Sequence, residues 1–400
     1  MGLTDKLTFQ NSEFTILNSV DVVVTGIGLS CCLGSLAESW QRLVAGESGI
    51  QLARPFPELP AYPLGRVAAS PTTLRSLADS VVTAALKDAG LTPPLLDCGI
   101  AIGSSRGCQG LWERWSGKQQ GIDFLASNSD RWLDTLPHQG AIAAAQYLGT
   151  TGPLLAPMAA CATGIWAITQ GYELIQQGRC QRVLAGAIEA PITPLTLAGF
   201  QQMGALARTG CYPFDRQREG LVLAEGGAIL VLESAELALR RSPSIYGQIL
   251  GFGLTCDAQY LSAPADPPRS ALSAIAQCLQ RSRLKATEID YIHAHGTSTH
   301  LNDLTEATLI QALFPHKVAV SSTKGATGHT LGASGAIGVA FCLLALKHQQ
   351  FPPCVGLREP AFPLNLVTQA RQAKIRQALC FSFGFGGQNA IMALGRYEGC

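Results

Sequence analysis

The strongest constraint on the fold is a regular alternation of short apolar runs with longer amphipathic segments. Apolar runs bounded by turn residues predict buried strands, and longer segments with helical periodicity predict helices. The predicted strands are Asp21–Gly28, Cys98–Ser104, Arg182–Glu189, Gly227–Glu233, Ile245–Gly253, Ile289–His295, Val318–Ser322, Ala378–Phe383 and Asn389–Gly395. The predicted helices are Ser35–Ala45, Leu74–Ala89, His138–Leu148, Ala162–Gln177, Ser270–Arg281, Asn302–Leu313 and Gly335–Lys347. This order predicts an α/β protein with buried sheets.

Length and composition allow a large interior but give no reason to expect a charged partner. The chain has 400 residues, of which 47% are hydrophobic and 14% charged, and it contains 42 glycines. These values favour one large composite domain, or two lobes, of a tightly packed enzyme. The net charge of +1 offers no electrostatic basis for binding nucleic acid.

The sequence predicts neither a membrane span nor an export signal. No uninterrupted apolar run reaches the roughly 18 residues that a spanning helix needs. The first twenty residues contain Asp5, Lys6 and Glu13 and lack the apolar core of a secretory signal. Met1-Gly2 begins like a myristoylation motif, but Lys6 stands where that motif requires Ser or Thr. We therefore expect a cytoplasmic protein.

The chain divides into a short N-terminal extension, residues 1–20, and two halves, residues 21–241 and 242–400. The boundary is placed at Arg240–Pro243, where a helical segment gives way to a new strand. Each half offers a comparable set of strands and helices, which hints at duplication although no sequence repeat is visible. The segment Ser105–Asp134 holds three of the five tryptophans, and we interpret it as a surface excursion or a dimer contact.

The thirteen cysteines form no recognisable metal or redox motif. There is no Cys-x-x-Cys pair, the number is odd and the spacings are irregular, with Cys31 and Cys32 adjacent. Most of them are therefore interpreted as small buried side chains in a reducing compartment.

Cys161 is a candidate nucleophile because of its surroundings. It lies in Met158–Gly164, a run of small residues directly before a predicted helix. The positive end of a helix favours the thiolate. Small neighbours leave room for a thioester and for backbone N–H groups that face an oxyanion. On local context alone, a buried structural cysteine is an equal alternative.

Three histidines lie at and after the end of one predicted strand. His293 and His295 share one face of this strand, and His300 lies in the following loop. A histidine beside Gly296 at a strand end is well placed to face a pocket. The alternatives are a structural histidine bonded to the backbone and a transition-metal site, which the lack of helical i, i+4 spacing disfavours.

A second polar loop carries Lys324 and His329 among glycines, between a strand and a long helix. It is not a phosphate loop, because Lys324 precedes the glycines. Thr25–Gly28 is not a dinucleotide site either, because Cys31 stands in place of the third glycine. Phe383–Gly387 concentrates glycines between two strands, which indicates a close backbone approach, a tight hairpin or both.

Taken in order, these motifs resemble one family, the elongating 3-oxoacyl-[acyl-carrier-protein] synthases of type 2 (FabF-like), which are condensing enzymes of the thiolase superfamily. The resemblance extends from residue 21 to residue 395. The segments that carry it are Val22–Gly28, Trp40–Ile50, Ala160–Gly164, Pro213–Asp215, Arg218–Gly220, Ala224–Gly226, His293–Thr299, Asn302–Glu306, Ser321–His329 and Phe383–Gly387.

The resemblance implies a thiolase-like five-layer αβαβα sandwich of two duplicated halves, usually a homodimer. It implies no metal and no cofactor, since the substrates arrive on the phosphopantetheine of acyl carrier protein. Cys161 would accept the acyl chain, and His295 and His329 would donate hydrogen bonds to the malonyl thioester oxygen while CO₂ leaves. Lys324 would order this network together with Glu306. The implied reaction joins acyl and malonyl groups into 3-oxoacyl-[acyl-carrier-protein], a step of fatty-acid elongation.

The resemblance also implies an oxyanion hole made by the backbone N–H groups of Cys161 and Phe383, with Phe383 as the gate between the acyl and malonyl steps. The chemistry agrees, because forming a carbanion without a metal requires strong donors in a dry site, and two neutral histidines fit that need. Ile165 and Phe200 are candidate apolar walls for an alkyl chain.

Three departures from the family leave the chain-length preference and the pathway open. Phe381 stands where the family usually has Asn, the connection Met203–Tyr212 is shorter, and Ser105–Asp134 does not match. The alternatives are a ketosynthase of a specialised fatty-acid or polyketide pathway, a non-catalytic partner subunit of the chain-length-factor kind, and a Cys–His hydrolase. Retention of Cys161 disfavours the partner subunit, and a hydrolase would leave Lys324 without a role.

Overall fold

The computed structural model describes residues 20–116, 129–241 and 243–398. The strands are β1 Val22–Cys31, β2 Gly34–Ser35, β3 Gln51–Ala53, β4 Tyr62–Leu64, β5 Gly99–Gly103, β6 Leu154–Leu155, β7 Arg182–Glu189, β8 Gly226–Ser234, β9 Gly247–Cys256, β10 Tyr291–His293, β11 Ala319–Ser321, β12 Gln350–Phe351, β13 Asn365–Leu366, β14 Arg371–Gln372, β15 Gln377–Gly384 and β16 Gln388–Gly395. The α-helices are α1 Leu36–Val44, α2 Leu74–Asp88, α3 Gln109–Ser116, α4 Gln139–Leu148, α5 Thr163–Gln176, α6 Pro194–Gln202, α7 Ala235–Arg241, α8 Arg269–Arg281, α9 His300–Leu313, α10 Lys324–Thr327 and α11 Ser334–His348.

The large sheet repeats one strand order in its two parts. The first part runs β6-β5-β7-β8-β1, and the second runs β11-β10-β15-β16-β9, with β13 added at its edge. Counted along the chain, both parts have the order third, second, fourth, fifth, first. The directions match as well, because the first three strands of each order are parallel and the other pairings antiparallel. The two first strands, β1 and β9, pair with each other and join the parts.

The helices form three layers around the two parts of this sheet. Helices α2 and α4 cover the outer face of the first part, and α8 and α9 cover the outer face of the second. Helices α5 and α11 lie between the two parts and contact strands of both. Each helix connects the equivalent pair of strands in its own part, so the duplication that the sequence only hinted at is visible in the topology.

The central helices cross at two glycines. A Cβ on Gly164 of α5 would lie 2.3 Å from the backbone nitrogen of Ala336, and one on Gly335 of α11 would lie 3.0 Å from the side chain of Ile165. Such close backbone contact permits only glycine. Every residue from Ser334 to Leu346 is buried. The stretch Leu331–His348 is long and apolar enough for a membrane span, but 89% of it is buried inside the protein.

All nine predicted strands and seven predicted helices are present, with ends shifted by a few residues. The largest change is at Ile289–His295, where the strand is reduced to β10 and ends two residues before His295. His300 begins α9, so its prediction as a loop residue is wrong. Helix α6 and the β3–β4 hairpin were not predicted.

The segment Ser105–Asp134 is described only in part. It contains helix α3, and it exposes Trp112 and Trp132. Residues 117–128 lie outside the described residues, as do residues 1–19, so the interpretations of the excursion and of the N-terminal extension stay predictions.

The cysteines behave as small apolar side chains. All twelve that the structure describes are free, and all are buried except Cys32, which is half-buried, and Cys256, which is exposed. Their interpretation as buried side chains is confirmed, whereas the reducing compartment stays a prediction.

Candidate active site

A cavity of about 370 Å³ opens between the two parts of the molecule. Cys161 and Phe200 come to its wall from the first part, and His295, His329 and Phe383 come from the second. Glu306 also lines it, while Lys324 is buried behind it. The structure therefore brings together the residues that the sequence singled out, although they are up to 222 positions apart in the chain.

Cys161 lies on a strained turn directly before α5. The preceding residue, Ala160, has a φ of +47°, a left-handed conformation that costs a non-glycine residue free energy. Thr163 holds this turn, because its hydroxyl donates to the carbonyl of Ala160 at 2.6 Å and accepts from the amide of Ala159 at 2.8 Å. The turn presents the sulfur at the cavity while only 8% of the residue is exposed.

The environment of Cys161 corrects one expectation from the sequence. Burial raises the pKa of the Cys161 thiol to about 11, although the charges of Lys324 and Arg106 lower it. The prediction that the helix start favours a thiolate is wrong for the resting protein, because desolvation of the anion is the larger effect. The thiol is therefore protonated near neutral pH, and its sulfur can act as a nucleophile only after it loses this proton.

The glycine-rich turn between β15 and β16 lies against the nucleophile. Gly384 approaches so closely that a Cβ there would lie 3.0 Å from the backbone nitrogen of Cys161. The hydroxyl of Ser382 donates to the carbonyl of Cys161 at 2.9 Å. The backbone N–H of Phe385 also interacts with the sulfur and lowers the pKa of Cys161. Both interpretations of Phe383–Gly387 are therefore confirmed, because this segment forms a tight hairpin and its backbone also lies close to the backbone of Cys161.

The geometry distinguishes Phe383, which the sequence singled out, from Phe385 two positions later. Phe383 lies within β15, where it pairs with Asn389, and its ring packs at 6.0 Å from the ring of His295 at an interplanar angle of 87°. Phe385 is at the tip of the turn, 37% exposed, with its ring 6.0 Å from that of Phe200. The backbone N–H that lowers the pKa of Cys161 is that of Phe385, whereas the roles of oxyanion donor and gate that the resemblance implies for Phe383 stay a prediction.

The two histidines lie side by side in the cavity wall. The ring centroids of His295 and His329 are 5.2 Å apart, and the rings are nearly perpendicular at 83°. Burial and the charge of Lys324 hold the pKa of both imidazoles well below the usual value, so both are neutral at physiological pH. The Nδ1 atom of each is buried and has no hydrogen-bond partner among the described residues, so no neighbour fixes either tautomer.

Lys324 and Glu306 hold His295 through its backbone. The ammonium of Lys324 donates to the carbonyl of His295. The carboxylate of Glu306 accepts from the amides of His295 and Gly296 at 2.6 and 2.7 Å. Burial raises the pKa of Glu306 to about 7 and lowers that of Lys324. The two side chains therefore fix His295 from both sides without forming an ion pair with each other, within the residues the structure describes.

The first part of the molecule holds His329 in place. Its amide donates to the carbonyl of Val222 at 2.7 Å, and its carbonyl accepts from the amide of Ala224 at 3.0 Å. Gly328, with a φ of +71°, allows the approach, because a Cβ there would lie 2.7 Å from the side chain of Ala224. The Ala224–Gly226 motif is thus a support for a residue of the other half.

Sequence reasoning missed Glu189, which ends β7 and is fully buried. Its carboxylate accepts from the Ser104 hydroxyl at 2.6 Å, from the amides of Ser105 and Arg106 at 2.7 and 3.0 Å, and from the amide of Gly332 at 3.0 Å. It therefore links the end of β5 to the turn after His329. An acid at the end of an otherwise apolar strand was the available signal.

Several other candidate residues have structural positions. His293 is buried, with Nε2 3.0 Å from the hydroxyl of Thr323. No group of three or more His, Cys, Asp or Glu that could hold a metal occurs among the described residues. Ile165 is packed in the core between the central helices and does not line the cavity, so of the two predicted apolar walls only Phe200 lies there. Phe381 is buried against Phe383.

Two family models match the chain. Residues 66–238 match the N-terminal domain of beta-ketoacyl synthases, and residues 246–358 match the C-terminal domain. Together the two ranges cover more than half of the chain, and they meet close to the boundary that composition indicated.

Curated relatives and solved structures agree with these matches. The chain is 42% identical to 3-oxoacyl-[acyl-carrier-protein] synthase 2 of Synechocystis sp. over 263 residues, which are 63% of this chain and 63% of that enzyme. It is 37% identical to the enzyme of the same name from Staphylococcus aureus, again over 63% of each chain.

Among solved structures, the chain is similar to a complex of a type II polyketide acyl carrier protein with its ketosynthase bound to the hexaketide. The TM-score is 0.87 at 27% identity, over 95% of this chain and 100% of the other. A beta-ketoacyl synthase from Burkholderia phymatum gives a TM-score of 0.85 at 27% identity with the same coverage. The strand order described above is therefore the thiolase-like fold.

Proposed function

The chain belongs to the beta-ketoacyl synthase family, and on this premise we propose that it condenses an acyl group with malonyl-[acyl-carrier-protein] to give 3-oxoacyl-[acyl-carrier-protein] in fatty-acid elongation. The observation that carries the proposal is the shared cavity of Cys161, His295 and His329. Lys324 and Glu306 support this set from behind. The match to curated synthases over 63% of the chain supports the same reaction.

The first step is transfer of the acyl chain to Cys161. The sulfur attacks the thioester carbonyl of the donor, the carbon–sulfur bond to the phosphopantetheine breaks, and the proton of the Cys161 thiol leaves on the released pantetheine thiol. The backbone N–H groups of Cys161 and Phe385 are placed to bind the oxyanion of the tetrahedral intermediate. The two hydrogen bonds of Thr163 hold the strained turn at Ala160 and so keep the sulfur at the cavity surface.

The second step uses the neutral histidines as hydrogen-bond donors. They bind the thioester oxygen of the malonyl group while its bond to the carboxylate breaks and CO₂ leaves. The electron pair of that bond passes into an enolate, which attacks the carbonyl carbon of the Cys161 thioester and expels the Cys161 thiolate. The thiolate then takes up one proton from solvent, which restores the thiol. Neutral donors in a buried site stabilise the enolate without first protonating the carboxylate, which must leave as CO₂. The network calls for no metal and no further cofactor.

The proposal includes the partners and location that such an enzyme requires. The acyl and malonyl groups arrive on acyl carrier protein, and a solved relative is a complex of that kind. We propose a homodimer in the cytoplasm as the working form. No nucleic acid takes part.

A second candidate function is condensation in a specialised polyketide or fatty-acid pathway. It is favoured by one observation, namely that a ketosynthase of a type II polyketide system matches 95% of this chain. The chemistry at Cys161 is the same in both pathways, and only the acyl group differs.

Two variants of Cys161 test the division of roles. Cys161→Ala should form no acyl-enzyme with radiolabelled acyl-[acyl-carrier-protein], whereas the wild type should. Cys161→Gln should still release CO₂ from malonyl-[acyl-carrier-protein], because His295 and His329 perform that half-reaction without the thiol. Labelled protein in Cys161→Ala, or loss of CO₂ release in a folded Cys161→Gln variant, would overturn the proposal.

A further inference from the structure

One charged side chain beside the nucleophile has no part in the chemistry proposed above. Arg106 follows the end of β5, which is parallel to β7, and ligands of α/β sheets bind at this end of the strands. Its guanidinium has no hydrogen bond or ion pair to any residue that the structure describes. Its positive charge nevertheless acts at the reaction centre, where it lowers the pKa of Cys161.

The backbone of Arg106 is fixed by Glu189. This carboxylate accepts four hydrogen bonds from the three residues Ser104, Ser105 and Arg106. The same carboxylate accepts the amide of Gly332. A buried carboxylate that receives so many donors holds the loop rigidly, so the guanidinium projects from a defined point near the nucleophile.

The rings of Phe200 and Phe385 lie between the guanidinium of Arg106 and the sulfur of Cys161. The guanidinium carbon lies 5.8 Å from the ring centroid of Phe200, which lines the cavity. The ring of Phe200 lies 6.0 Å from that of Phe385, and the amide of Phe385 contacts the sulfur. Arg106, Phe200 and Cys161 all belong to the first part of the molecule, whereas the decarboxylating histidines belong to the second. The apolar wall of the cavity at Phe200 thus lies next to a cation, the exposed guanidinium of Arg106, which borders this ring without itself lining the cavity.

We propose that Arg106 is a specificity-determining residue, which selects acyl chains that end in a carboxylate over plain alkyl chains of the same length. A guanidinium binds a carboxylate through two parallel hydrogen bonds. An alkyl chain in the same place would displace water from the guanidinium and return no hydrogen bond. The inference rests on the proposed function, because it concerns the acyl group that Cys161 accepts.

The test compares matched acyl donors with the full-length protein. Acyl-[acyl-carrier-protein] carrying butanoyl, hexanoyl or octanoyl groups is compared with the corresponding ω-carboxyacyl donors, with acetyl as a short reference donor that carries no second carboxylate. The variants are Arg106→Met and the control Arg371→Met. Arg371 is also exposed and lies 5.6 Å from an aromatic ring, that of Phe351, which unlike Phe200 does not line the cavity.

For at least one chain length, the wild type should have a kcat/KM for the ω-carboxyacyl donor about tenfold or more above that for the alkyl donor. Arg106→Met should reverse this preference, and acetyl transfer by the same variant serves as the reference for any loss of rate that a higher pKa of Cys161 causes. Relative to acetyl, kcat/KM for the alkyl donor should rise, whereas Arg371→Met should match the wild type. A gain for one donor cannot result from a misfolded variant.

Two results would overturn the inference, and they differ from each other. If the wild type condenses acetyl and alkyl donors but gains nothing from the carboxylate at any length, the role of Arg106 is refuted while the proposed function stands. If the wild type transfers no acyl group at all, the proposed function fails and the inference fails with it.

Discussion

At the scale of single residues, the reactive thiol is protected as much as it is activated. Burial keeps Cys161 protonated, with a pKa of about 11, although two cations act on it. A protonated thiol in an apolar surrounding resists oxidation and alkylation. The amide of Phe385 and the start of α5 would stabilise negative charge only when it forms on a thioester bound next to Cys161. We therefore expect the thiol to react with a bound thioester and to react slowly with an electrophile from solution.

This protonation state predicts the pH dependence of alkylation. The rate at which iodoacetamide labels Cys161 should rise about tenfold per pH unit between about pH 7 and pH 10, because the thiolate fraction grows until the pH reaches the pKa. Lys324→Met should slow labelling at a given pH, because removal of a positive charge raises the pKa of the thiol further. The measurement is mass spectrometry of the peptide that contains Cys161.

Exposed Cys256 serves as the internal control in the same digest, since its labelling should not respond to Lys324→Met. A labelling rate of Cys161 that is flat over this pH range would contradict the raised pKa.

At the scale of elements, the β15–β16 hairpin can lie directly against Cys161 because the residue at the contact, Gly384, has no side chain. A methyl group on Gly384 would lie 3.0 Å from the amide nitrogen of Cys161 and 3.1 Å from the carbonyl of Ala159. Both neighbours are backbone atoms on a turn that is already strained, so neither can move without displacing the sulfur.

We therefore expect Gly384→Ala to lower the rate of acyl transfer by about tenfold or more, because a misplacement near 1 Å costs that much or more. The control is Gly199→Ala in α6, where a Cβ would meet nothing within 4 Å and where alanine is the better helix former. Stopped-flow acyl transfer, with circular dichroism to verify folding, measures the effect. Equal rates for the two variants would show that the hairpin has room to adjust.

The elements themselves were accessible from the sequence because periodicity is a local signal. Apolar runs such as Arg182–Glu189 mark a strand wherever it lies in the fold, and that strand was predicted to the residue. The β3–β4 hairpin was missed because three-residue strands carry no period. The strand before His295 was predicted two residues too long at each end, because the buried apolar residues Ile289 and Ala294 lie just outside the part of the chain that pairs in the sheet.

The sequence was sufficient to predict which residues form the site, but not which of them contact each other or how deeply they are buried. Cys161, His295 and His329 could be singled out from glycine-rich context and family resemblance. The choice between Phe383 and Phe385 could not, because it depends on where the strand ends and the turn begins. The burial that reverses the expected pKa of Cys161 and the five donors around Glu189 arise from residues far apart in the chain, which no local pattern encodes.

At the scale of the whole molecule, one edge of the large sheet is left open near the active site. Strand β6 pairs only with β5 among the described residues. Leu154 on this strand is 39% exposed and Met158, three residues before the nucleophile, is 70% exposed. A free strand edge with exposed apolar side chains is a surface that a second copy can cover, and this supports the proposed homodimer.

The oligomer prediction follows from this edge. Sedimentation should show a dimer for the wild type, and the double variant Leu154→Asp, Met158→Asp should sediment as a folded monomer, because two charges cannot be buried at an apolar contact. Leu52→Asp, at a site that is 72% exposed on β3, should stay dimeric. A double variant that remains a dimer would place the contact elsewhere.

The repeated strand order has an evolutionary consequence. A chain built from two copies of one unit can change one copy while the other keeps its task. Cys161, Phe200 and Arg106 belong to the first copy, whereas His295 and His329 belong to the second. Under the proposed function, substitutions in the first copy alone can therefore change the accepted acyl group, while the histidines of the second copy are kept.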